Sequence, residues 1–219
     1  MSKQGFIIDK ALAEQFTRYM DKYLELYRFL AEKTGEHIQK SVKKPVIVEI
    51  GTGPGLLSFE LHMLIPEAQV IGLDPSLHML SIAENKLIGC KHCYFVKSSV
   101  ENMPLKNRSA DIVVSRFGLS SWKNPKKGFS EIFRVLKPGG RIVLEVLNTD
   151  FPNWKLLLTK IHMMVKGAGK NVIKYHVDSY RMAFSIKQVE EFLNETSFNI
   201  IKKEGERKDW KFLVIATKT

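Results

Sequence analysis

The sequence predicts an α/β fold, a doubly wound, mostly parallel sheet with one reversed strand near an edge. Three observations carry this. Val46-Ile47-Val48-Glu49-Ile50 is a largely β-branched run that enters the glycine turn Gly51-Thr52-Gly53-Pro54-Gly55. A second apolar run, Gln69 to Leu73, ends in Asp74. Strand and helix patterns then alternate to residue 147, and the chain closes with two strands joined by a turn too short for a parallel crossover.

In chain order, residues 9–33 read as one amphipathic helix, with Leu12, Phe16, Tyr19, Tyr23, Leu26, Tyr27 and Leu30 at helical spacing. The first strand, 46–50, is followed by a helix over 55–65 carrying Leu56, Leu57, Leu61 and Leu64. The second strand is Gln69 to Leu73, the next helix Ser76 to Lys86, and the third strand Cys93 to Val96. Ala110 to Ser115 is a fourth, apolar strand suited to burial on both faces. A helix over Phe129 to Leu136 is stopped by Lys137-Pro138-Gly139-Gly140, and Arg141 to Leu147 is the fifth strand. The rhythm breaks over 150–184. A helix capped by Ser185 follows, with Ile186, Val189, Phe192 and Leu193 on its apolar face. Phe198 to Ile201 and Trp210 to Ala216 form the closing antiparallel pair.

With 219 residues, 44% of them hydrophobic, the chain fits one α/β domain, and disorder is not the expected state. The N-terminus lacks a charged-then-apolar leader pattern and no apolar run reaches membrane-span length, so a cytoplasmic location is expected. The two cysteines stand in Cys90-Lys91-His92-Cys93 without a second C-x-x-C pair; they read as a reduced loop pair, and no metal is expected. The net charge of +11 attracts anions in general, with RNA and acidic membranes among the partners it admits beside a solvated lysine-rich surface.

The turn chemistry narrows the ligand. Gly51 and Gly53 permit backbone angles closed to other residues and a close ligand approach; Gly55 lets the next helix pack against the strand. The spacing is G-x-G-x-G, unlike the G-x-G-x-x-G that faces a pyrophosphate. Glu49, two residues before the first glycine, is a poor neighbour for a diphosphate and a good one for a cation. Asp74 lies 23 residues after Gly51, near the spacing at which an acid binds ribose hydroxyls. These features favour S-adenosyl-L-methionine over NAD.

Taken in order, Val48-Glu49-Ile50-Gly51-Thr52-Gly53-Pro54-Gly55, Gly72-Leu73-Asp74-Pro75-Ser76, Val100-Glu101-Asn102-Met103-Pro104-Leu105, Ala110-Asp111-Ile112-Val113-Val114-Ser115 and Glu131-Ile132-Phe133-Arg134-Val135-Leu136-Lys137-Pro138-Gly139-Gly140 resemble the class I S-adenosylmethionine-dependent methyltransferases. The likeness is to the small-molecule group that includes ubiquinone/menaquinone C-methyltransferases, the type 11 methyltransferases. It covers residues 46–147 and, in pattern, the terminal hairpin. It implies a Rossmann-like, seven-stranded sheet and S-adenosyl-L-homocysteine as product. The resemblance divides the chain into a helical cap (1–45), a cofactor-binding core (46–147), a variable acceptor lid (148–184) and a terminal helix and hairpin (185–219).

The resemblance assigns roles position by position. Glu49, Gly51, Thr52, Gly53 and Gly55 face the methionine part of the cofactor; Asp74 takes the ribose; Pro75, Met79, Ser99 and Val100 adjoin the adenine; Ser115 and Arg116 reach the crevice. Met79 reads equally as a core methionine. Relatives often carry an aspartate where Ser99 stands, and a histidine before the tryptophan where this chain has Ser120-Ser121-Trp122.

For the acceptor, Tyr19, Tyr23, Trp122, Trp154 and Tyr180 are the candidate contacts, and His162 and His176 the candidate bases. The apolar stretch 151–184 suggests an apolar or aromatic small-molecule acceptor; the same residues serve a homodimer contact or, with Lys155, Lys160, Lys166, Lys170 and Lys174, a membrane surface. Monomer and homodimer both remain open. An RNA methyltransferase and a non-catalytic S-adenosylmethionine-binding protein are the alternatives to a small-molecule enzyme.

Overall fold

The structure is a computed structural model and describes residues 8–206 and 208–219. Its strands are β1 (Val46–Ile50), β2 (Gln69–Asp74), β3 (Cys93–Lys97), β4 (Ala110–Arg116), β5 (Leu136–Leu147), β6 (Phe198–Glu204) and β7 (Lys211–Lys218). They form one sheet in the order β3-β2-β1-β4-β5-β7-β6. Pairing is parallel from β3 through β5, while β7 runs antiparallel to both β5 and β6. The reversed strand is therefore β7, one place in from the edge. The chain steps outward from β1 to β2 in one direction and to β4 in the other, so a crevice opens at the carboxyl ends of β1 and β4.

The helices are α1 (Lys10–Met20), α2 (Leu24–Glu36), α3 (Leu56–Leu64), α4 (Leu77–Lys86), α5 (Pro125–Val135), α6 (Asn153–Val165), α7 (Lys170–Arg181) and α8 (Ile186–Glu195). Both sheet faces are covered. Val48, Ile50, Leu144 and Val214 point to one core with Phe129 of α5 and Leu193 of α8. Ile47, Val70, Ile112 and Ile215 point to the other, with Leu30 of α2 and Leu57 and Leu61 of α3. The opposite destinations of Ile47 and Val48 follow from the two-residue period of a strand. None of the described helices is long and apolar enough to cross a membrane.

Four local expectations change. The helix expected over 9–33 is two helices separated by a short 3-10 turn, Asp21–Tyr23. Tyr19 packs with Met163 and Val172 of the later helices, whereas Tyr27 and Leu30 pack onto the sheet, and the break lets each half face its own core. The helix expected from Phe129 starts at Pro125, because the Asn124 side chain accepts the Lys127 N–H at 3.1 Å and proline suits the first helical position. Strand β5 begins at Leu136 rather than Arg141: Leu136 pairs with Ala110, the Lys137–Gly140 segment bulges with Gly139 at φ +72°, and pairing resumes at Arg141. Cys90 and Cys93, expected to be reduced, are joined as a disulfide between the turn before β3 and its first residue, where the turn holds their Cα atoms 5.6 Å apart. Ser185 caps α8 as expected, in a reciprocal arrangement with Gln188.

Candidate active site

The loop after β1 is built by three left-handed glycines, Gly51 (φ +71°), Gly53 (φ +52°) and Gly55 (φ +76°). They turn the chain so sharply that the Gly51 and Thr52 N–H groups both donate to the Leu73 carbonyl of the neighbouring strand, at 2.8 and 3.1 Å. The end of β2 is thereby tied to the loop, and Asp74 is set beneath it.

Glu49 is 2% exposed, with Oε2 accepting the Thr52 hydroxyl at 2.9 Å and the Ser58 hydroxyl of α3. Burial pushes its carboxyl up to about 7, against the pull of the Ser58 and Thr52 hydrogen bonds, and the nearby Asp74 pushes the same way as burial. Asp74 is 6% exposed. Its Oδ2 accepts the Gly53 N–H at 2.9 Å and its Oδ1 the Ser76 N–H at 2.8 Å. Burial raises its carboxyl too, opposed by the Ser76 and Gly53 N–H groups.

These groups open on a cavity of about 780 Å³. One end is lined by Glu49, Gly51, Thr52, Gly53, Asp74, Pro75, Met79, Ser99 and Val100. Glu101 reaches the same wall, but its Oε1 is engaged by the Asn124 N–H at 3.1 Å. The other end is roofed by α1, α6 and α7. There Tyr19 and Tyr23 bring their hydroxyls within 3.2 Å of each other, and Trp122, His162, His176 and Tyr180 complete the wall.

Arg116 lines the cavity from the carboxyl end of β4. It faces its register partner on β5, Glu145, in a buried ion pair of 2.8 Å. Lys211 of β7 pairs with the same carboxylate, leaving the cluster with one surplus positive charge. The guanidinium sits 4.4 Å from the Tyr27 ring centre and 4.2 Å from that of Phe117, within cation–π range. Its Nη2 and the Tyr180 hydroxyl are buried and have no hydrogen-bond partner among the described residues. His176, in edge contact with Tyr180, is pushed down to about 4, by burial first and by Arg116 second.

Three residues singled out from the sequence lie elsewhere. Ser115 is buried beneath the crevice and donates its hydroxyl to the Ile50 carbonyl at 2.8 Å. Gly55 abuts α4, where a Cβ would stand 2.8 Å from that of Ala83, so its want of a side chain serves helix packing. Trp154 projects outward from α6 into solvent. Sequence reasoning missed Ser58 as a Glu49 partner, the Arg116–Glu145 pair, and Trp210 on the cavity wall, whereas Phe151 and Tyr175, read as part of the 151–184 lid, do line it. The position of Ser58 on the buried side of α3 was the one local signal.

The donor set fits S-adenosylmethionine. Buried Glu49 offers a carboxylate that could hold a ligand ammonium, Asp74 faces the cavity at the end of β2, and Met79 and Val100 line the same end with apolar surface. Two acids beside the glycine loop make a poor seat for a diphosphate.

Residues 48–144 match the family model described as a methyltransferase domain. Over that stretch the chain is similar to a methyltransferase domain. The methyltransferase fold extends beyond the matched residues. A putative S-adenosyl-L-methionine-dependent methyltransferase of Methanococcus maripaludis superposes with a TM-score of 0.70 at 25% identity, covering 100% of this chain and 97% of that one. A malonyl-[acyl-carrier protein] O-methyltransferase of Marinomonas sp. is 30% identical over 143 residues, 64% of this chain and 52% of that protein. A demethylmenaquinone methyltransferase of Lactobacillus johnsonii is 28% identical over 92% of this chain and 90% of its own length. The chain spans about half the length of the first curated relatives it matches, 52% and 46%.

Proposed function

We propose that this chain is an S-adenosylmethionine-dependent methyltransferase acting on a small acceptor with an apolar or aromatic body. The observation that carries the reading is the pair of buried acids, Glu49 and Asp74, at a left-handed glycine loop that opens into an aromatic-walled cavity. Relatives named for demethylmenaquinone support such an acceptor.

When bound, S-adenosylmethionine supplies an electrophilic methyl group on a sulfonium, so the protein's work is alignment and exclusion of water. Glu49 would hold the ammonium, with Thr52 and Ser58 fixing the carboxylate's orientation. Asp74 would accept the ribose hydroxyls on the lone pairs its backbone partners leave free. Pro75, Met79, Ser99 and Val100 would border the adenine. Tyr19 and Tyr23 close the roof and keep water from the reacting centre. Arg116 and Tyr180 offer buried donors to an oxygen of the acceptor, and the surplus positive charge beside Glu145 favours an ionised one. An acceptor held as its oxyanion already presents an electron pair, which lessens the need for a general base; His176, uncharged above pH of about 4, leaves that positive charge to Arg116 and Lys211.

In this reading residues 46–147 form the cofactor-binding core, 8–45 and 148–184 the two sides of the roof, and the described residues of 185–219 complete the sheet. Calorimetric titration with S-adenosylhomocysteine and with NAD tests the cofactor. Binding of the first alone is the expected result; NAD binding without S-adenosylhomocysteine binding refutes the reading.

A further inference from the structure

Helix α6 turns its apolar stripe away from the protein. Trp154, Leu157, Leu158, Ile161, Met164 and Val165 recur at helical spacing, and each is between 50% and 79% exposed. A surface helix ordinarily lays such a stripe on the core. In α6 the opposite face does so: Met163 packs with Tyr19 and Val172, and Thr159 and His162 line the cavity. A contiguous exposed apolar face of this kind marks an interaction surface.

The charges beside the stripe indicate what it meets. Residues 151–177 contain five lysines, at 155, 160, 166, 170 and 174, and no aspartate or glutamate. A groove of about 540 Å³ runs between α6 and α7, lined by Met164, Ala168, Ile173 and Val177 together with Lys160 and Lys170. Asp178, the one acid lining it among the described residues, is occupied by Lys174 at 2.7 Å and Arg181 at 3.4 Å. Apolar side chains with a tryptophan, flanked by lysines, suit a helix lying in the plane of an acidic bilayer, its apolar face among acyl chains and its ammonium groups at phosphates. A second copy of the chain meeting this face would bring like charges together. A nucleic acid would use the lysines but leave the stripe in water.

We propose that α6 docks this chain on an anionic phospholipid surface, with the stripe from Trp154 to Val165 inserted and the lysines of 151–177 at the headgroups. The same helix then has one face in the bilayer and the other on the cavity, which shortens the path of a membrane-borne apolar molecule into it.

Co-sedimentation of the full chain with vesicles of phosphatidylglycerol and phosphatidylcholine in equal parts, and of phosphatidylcholine alone, tests this. Binding to the acidic vesicles is expected, with Trp154 emission shifting to the blue and a several-fold weakening at about 0.5 M salt. The triple variant Leu157→Ser, Leu158→Ser, Ile161→Ser alters only exposed side chains and is expected to lower partitioning by roughly tenfold or more. Failure of the wild type to bind acidic vesicles overturns the proposal, as does undiminished binding by the folded triple variant. So does light scattering that shows a wild-type dimer reduced to a monomer by the variant without any vesicle binding, which gives the face to a second copy. Salt-sensitive RNA binding in place of vesicle binding gives the lysines to nucleic acid and overturns it equally.

Discussion

Protonation of Glu49 is expected to control cofactor affinity. Its carboxyl lies at about 7 in the free protein, chiefly because burial disfavours the charge. A bound ammonium would return it to the ordinary carboxylate range near 4.3, so ligand binding releases a proton from Glu49 between pH of about 4.3 and 7. With those two values, affinity for S-adenosylhomocysteine falls about fivefold from pH 7 to pH 6 and about fortyfold from pH 7 to pH 5. Asp74, also raised by burial, pushes in the same direction, and His176, held near 4, stays neutral across the window. The assay is calorimetry at each pH in two buffers of different ionisation enthalpy, which counts the released protons, on the wild type and on Glu49→Gln. The sign for stability is opposite. A carboxyl raised in the folded state stabilises fully below its unfolded value, and that contribution is lost as the pH rises through 7. The free wild type therefore loses on the order of 3 kcal/mol relative to Glu49→Gln between pH of about 4 and 8. A flat wild-type affinity profile, or an equally steep one in Glu49→Gln, refutes the assignment.

Other substitutions probe the remaining parts. Asp74→Ala removes the proposed ribose acceptor and frees the Gly53 and Ser76 N–H groups; S-adenosylhomocysteine affinity is expected to fall by about 10- to 100-fold, and unchanged calorimetric affinity counts against the role. Gly55→Ala places a Cβ 2.8 Å from that of Ala83 at φ +76°; urea unfolding should show a loss of about 1–3 kcal/mol with cofactor affinity of the folded protein retained. Arg116→Met leaves the buried Glu145 with Lys211 alone, and a loss of about 3 kcal/mol in urea unfolding is expected, against less than about 1 kcal/mol for Tyr180→Phe, whose hydroxyl has no hydrogen-bond partner among the described residues. Equal losses for the two variants would mean that the ion pair is not holding the Arg116 charge in place.

Some of this protein was readable from residue order alone. The βα rhythm, the parallel core, the reversed strand and the Glu49–glycine–Asp74 arrangement depend on short-range spacing: two-residue alternation in strands, 3.6-residue periodicity in helices, and glycines where the chain must turn left-handed. Those constraints act within a few residues, so they survive in the linear text. Which face meets which partner is settled over distances of tens of residues. Arg116 finds Glu145, 29 positions later, only because β4 and β5 pair in register. Ser115 and Arg116 are adjacent, yet one turns under the crevice and the other into it. Cys90 and Cys93 are brought together by the turn entering β3. The apolar period of α6 is plain in sequence, but a helical period states only that one face is apolar. Packing against α1 and α7 took the other face of α6 for the cavity and left that stripe outside.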